Sequence, residues 1–78
     1  MDEKLINQFA FEIFSRARIL EAEFKVFVAE QFFAEIPEEK KDTSVVVHNL
    51  ANINQKKNDL EKLKAQLEEF RKQKEINN

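Results

Sequence analysis

The stretch FEIFSRARILEAEFKVFVAEQFF, residues 11–33, decides how this chain folds. Seven of its eight Phe fall within the first 33 positions, on a segment that is also full of charge. Apolar residues recur there at helical spacing, and they do so twice. Steps of three and four from Ile6 pass through Phe9, Ile13, Ala17, Leu20, Phe24, Phe27, Gln31 and Ala34, one side of a helix. Val28, Phe14 and Phe32 widen that side. The same steps from Phe11 pass through Ser15, Ile19, Ala22, Val26, Ala29 and Phe33. At about 100° per residue the two sets lie on roughly opposite sides. Charges fill the gaps: Glu12, Glu23 and Glu30 in one, Arg18, Glu21 and Lys25 in the other.

Outward from this stretch, the chain has no Gly and a single Pro, so it has few places to turn. Its dominant residues are adequate to good helix formers. Pro37 pushes Ile36 away from helical geometry, so a first helix is expected over about residues 3–36. PEEKKDTS follows as a turn over residues 37–43, with room for one short helical turn after Pro37. Asp42, Thr43 or Ser44 caps a second helix over about residues 44–75. The β-branched run at residues 45–47 has no pairing partner that would make it a strand. The tail KQKEINN is expected to fray. Two helices of about 30 residues, each roughly 45–50 Å long, joined by a short connection predict an antiparallel hairpin. The fold class is all-α, one helical domain over residues 1–78.

The second helix is apolar on one side only. Leu50, Ile53, Leu60, Leu63, Leu67 and Phe70 share it with Val46, while Lys57–Glu61, Lys64–Glu68 and Glu68–Lys72 lie at i,i+4 on the other. The second helix therefore needs one covering surface and the first needs two. The hairpin core is expected from Ile6, Phe9, Ile13, Leu20, Phe24 and Phe27 against the second helix. Phe11, Ile19, Ala22, Val26 and Phe33 are then left for a second chain. Leaving such Phe, Ile and Val side chains wet forgoes about 1.5–3 kcal/mol each, a large share of a small domain's stability. The small residues Ser15, Ala22 and Ala29 also suit a close helix–helix approach.

Length and composition favour the same partner. A chain this short buries only about 60–65% of its unfolded surface. It has no Cys and one His, which excludes disulfides, Cys-based zinc or redox chemistry and a His-rich metal site. Self-association, a dimer first, into a four-helix bundle or larger helical assembly is the remaining source of burial. No apolar run approaches the roughly 20 residues that span a bilayer, and Met-Asp-Glu carries the wrong charge for a secretory signal. A soluble cytoplasmic protein is expected. Its compact style suits a phage or bacterial accessory protein.

Chemistry-bearing residues are sparse. His48 has only Ser44 one turn away, with no third orienting group, so a solvent-facing histidine is expected. No Glu-x-x-His occurs, and Glu12, Glu23 and Glu30 read as solvated seam residues rather than metal ligands. Arg16 can pair with Glu12 or lie against Phe. Asn49 and Lys56 form a polar waist of the kind that sets register. Lys56, Lys57, Lys62, Lys64, Arg71, Lys72 and Lys74 are interleaved with five acids, so no net positive stripe forms for nucleic acid. Loops that cradle phosphate and nucleophile elbows need Gly. The chain therefore reads as no enzyme, with no cofactor. It reads as a helical protein-interaction module, an adaptor, inhibitor or assembly chaperone of a larger protein, acting as a homo-oligomer. The alternatives are an RNA- or DNA-associated bundle and a purely structural oligomer.

Overall fold

A computed structural model describes the backbone of residues 2–76 and the side chains of residues 2–73. The end of the KQKEINN tail and the side chain of Lys74 lie outside the described residues. Helix α1 spans Glu3–Glu35, a single 3₁₀ turn spans Glu38–Lys40, and helix α2 spans Thr43–Ile76. The chain is an all-α hairpin measuring 61 × 20 × 12 Å, two helices side by side and one helix thick.

Local chemistry sets each boundary. The Asp2 carboxylate accepts from the Lys4 backbone N–H at 3.0 Å, satisfying one of the unpaired donors of the first turn. Ile36 leaves the helix at φ −65°, ψ 128°, the extended geometry that a following proline imposes. Its N–H closes the last turn on the Phe33 carbonyl at 3.3 Å. Of the three candidate caps for α2, Asp42 takes the role. Its Oδ1 accepts from the Val45 N–H at 2.9 Å, and its carbonyl accepts from the Val46 N–H at 3.0 Å. The β-branched run at residues 45–47 is helical.

The helices pack through a narrow seam. Among the described residues, the buried ones are Val26 and Ala29 of α1 and Ile53 and Leu67 of α2. Ser15, Ile19, Ala22 and Phe33 of α1 are half-buried, as are Val46, Leu60, Leu63 and Phe70 of α2. Two latches hold the ends. At the open end the Phe11 and Phe70 rings sit 4.3 Å apart, tilted by 38°, a favourable aromatic pairing. Beside them Arg71 Nε donates to Glu12 at 3.0 Å, and Nη2 donates to the same oxygen. At the turn, the Lys41 ammonium lies 4.9 Å from the Phe33 ring centroid and 3.2 Å from the Glu38 carboxylate.

This packing exchanges the two sides of α1 relative to the sequence expectation. The side carrying Phe11, Ile19, Ala22, Val26 and Phe33, expected to meet a second chain, lies in the hairpin seam. The side carrying Ile6, Phe9, Ile13, Leu20, Phe24 and Phe27, expected to form the hairpin core, is exposed. Ser15, Ala22 and Ala29 let α2 approach closely, whereas a row of Phe would hold the axes apart. Leu50 is a second correction. It is exposed because it stands about 100° around α2 from the middle of the seam. Ile53, Leu60, Leu63, Leu67 and Phe70 do face α1.

Candidate interaction surface on the first helix

The prominent surface feature is the open side of α1. Of the thirteen exposed large hydrophobics among the described residues, eleven lie on α1 and only Val47 and Leu50 on α2. Apart from Phe11, which stacks on Phe70, the α1 residues line the side turned away from α2. Leu20 is 67% exposed, Phe24 65% and Ile13 60%, so the middle of this side is wet along its length. Phe14 and Phe32 mark its edge. Contiguous apolar surface of this kind makes this side the candidate interaction surface.

The margins of α1 are charged and partly tied to α2. Glu12 pairs with Arg71 and Glu30 with Lys57 at 3.7 Å, so two of the three seam glutamates bridge the hairpin. Arg16 therefore does not hold Glu12. The Glu12 hydrogen bond, with the charges of Glu12 and Glu68, raises the Arg71 pKa against the opposing pull of desolvation. On the other margin Lys25 meets Glu21 at 3.1 Å. Within α2 the pairs differ from the i,i+4 expectation: Lys64 meets Glu61 at 3.7 Å and Glu68 meets Arg71 at 4.0 Å. Exposed pairs like these contribute little to stability.

The polar waist is satisfied inside α2. The Asn49 amide donates to the Val45 carbonyl at 2.8 Å, and Lys56 Nζ donates to Asn52 Oδ1 at 3.1 Å. Neither bond crosses to α1, so the waist does not lock the pairing of the two helices through hydrogen bonds. An open groove of about 320 Å³ lies between this waist and Phe24, Val28 and Phe32. His48 is exposed near the start of α2, and no hydrogen bond joins it to Ser44 among the described residues. Among the described residues no cluster of three or more His, Asp or Glu could hold a metal ion, and no helix is long and apolar enough to cross a membrane.

The residues that sequence reasoning placed at a chain–chain interface are thus brought together inside one chain, and those assigned to the core form the open surface. Side-chain size was the signal that distinguishes the two sides: Ser15, Ala22 and Ala29 sit where α2 packs, and Phe9, Phe24 and Phe27 stand on the side left open. Comparison with family models, curated proteins and solved structures finds no match to this chain.

Proposed function

We propose that this chain is a small helical protein-interaction module that works as a homo-oligomer, joined through the open side of α1. The observation that carries this reading is the continuous apolar surface from Ile6 to Phe32 on the side of α1 turned away from α2. The hairpin seam is thin, with four buried residues among those described. Covering the open side supplies the burial that the seam lacks. A larger protein is then engaged at the rim of that side, where Phe14 and Phe32 stand exposed and aromatic side chains make effective anchors. The module acts by binding, as an adaptor, inhibitor or assembly chaperone.

Sedimentation equilibrium of the purified chain tests the self-association. The expected mass is twice the 9.3 kDa of one chain, constant over a wide concentration range. A mass of 9.3 kDa at every concentration would overturn the proposal. Mass that grows without limit would favour a structural filament instead, and salt-dependent binding to RNA or DNA would favour a nucleic-acid role.

A further inference from the structure

We infer that the partner on the open side of α1 is a second copy lying antiparallel to the first, with the two-fold axis passing between residues 18 and 19. This deepens the self-association reading and rests on it. The argument begins with the size of side chains along that side. Counted in sevens, Ala10, Ala17 and Phe24 occupy one central row, and Ile13, Leu20 and Phe27 occupy the other. In an antiparallel pair each row meets the other row of the second copy. With the axis at this position, residues whose numbers add to 37 face each other. Ala10 then meets Phe27 of the second copy, Ala17 meets its Leu20, and Phe24 meets its Ile13. Symmetry repeats each contact, giving six successive layers in which a small or medium side chain faces a large one.

A parallel pair sets each row against itself. Ala10 would face Ala10 and Ala17 would face Ala17, leaving voids, while Phe24 and Phe27 would each crowd their own copies. Close-packed interfaces tolerate neither well. The axis position also suits the helix length. Residue 19 is the midpoint of Glu3–Glu35, so an axis at 18.5 overlaps the two helices along almost all of α1.

Charge points the same way. In the antiparallel arrangement a margin meets the same margin of the partner. Arg16 comes beside Glu23 of the second copy, and the contact occurs twice. Among the described residues neither Arg16 nor Glu23 has an ion pair within its own chain, whereas Glu12, Glu21 and Glu30 are already engaged. In a parallel pair Arg16 would reach Glu21, which Lys25 already holds, and Glu30 would face Glu35 with like charge. The area is adequate as well. Phe9, Phe24 and Phe27 are each exposed by more than half. At about 200 Å² per ring they offer on the order of 350 Å². Ile6, Ile13, Leu20 and Val28 bring the surface toward the roughly 800 Å² per partner of a stable interface.

The absence of cysteine makes single-site spin labelling direct. Asn7→Cys and Glu21→Cys place labels at exposed positions near one end and near the middle of α1. In the antiparallel dimer the two residue-7 labels are separated by 23 helix positions, about 35 Å along the axis. The residue-21 labels are offset by 5 positions, about 8 Å. Pulsed dipolar spectroscopy should therefore read a long distance for Asn7→Cys and a short one for Glu21→Cys. Short distances at both sites would mean a parallel pair, which overturns this inference and leaves self-association standing. No distance between chains at either site, with a monomer mass, overturns both. Long distances at both sites overturn the axis position and with it the inference.

Discussion

Leu67→Ala lowers the unfolding free energy by about 3 kcal/mol, read as a fall in the urea midpoint of the helical circular dichroism signal. Leu67 is 5% exposed, the lowest of the four buried residues described, and it lies in the seam between α1 and α2. Removing its three terminal carbons forfeits their transfer free energy and leaves a void, because α1 cannot collapse onto α2 without parting the Phe11–Phe70 stack. The loss is large relative to the stability of a domain this small. Leu50→Ala serves as the control. Leu50 is exposed, so its truncation should cost less than about 1 kcal/mol. Equal losses at the two positions would mean that the seam is not where the structure places it.

The second large effect concerns association. Phe24→Glu combined with Phe27→Glu weakens the dimer by a factor of about ten thousand or more, measured by sedimentation across a dilution series. Each ring contributes about 1.5–3 kcal/mol when buried, four rings are lost per dimer, and each factor of ten corresponds to about 1.4 kcal/mol. The introduced carboxylates add a desolvation penalty at the same place. Both rings project away from α2, so the seam residues Val26, Ala29, Ile53 and Leu67 are untouched. Phe11→Glu with Phe33→Glu acts differently. Phe11 stacks on Phe70 and Phe33 lies under Lys41, so that pair of changes strikes the hairpin itself. Unchanged association in the Phe24, Phe27 variant would remove the open side of α1 from the interface.

The contrast between these variants shows what the sequence could reveal. A chain without Gly and with one Pro had few turns to offer, and the turn formed at Pro37 with Ile36 extended. Asp42 was one of three possible caps, and its carboxylate reaches the Val45 N–H. Both apolar sides of α1 were visible as two interleaved periods. Which side meets α2 was not visible, because periodicity sorts residues onto faces without saying which face has which neighbour. Phe24, Phe27 and Leu20, expected in the hairpin core from their spacing, stand on the open side. The helices instead pack through Val26, Ala29, Ala22 and Ser15, where small side chains allow the axes to come close. The pairing of Glu12 with Arg71, 59 positions away, could not be read from local spacing, which offered Arg16 instead.

The two-sided nature of α1 is tested most directly by thermal unfolding of the wild-type chain at concentrations spanning a hundredfold. If a second copy covers the open side, folding is coupled to association, and the midpoint temperature climbs steadily with concentration. A midpoint that stays fixed over that range, with the mass of a single chain throughout, would mean that one hairpin is stable with Leu20 and Phe24 in water.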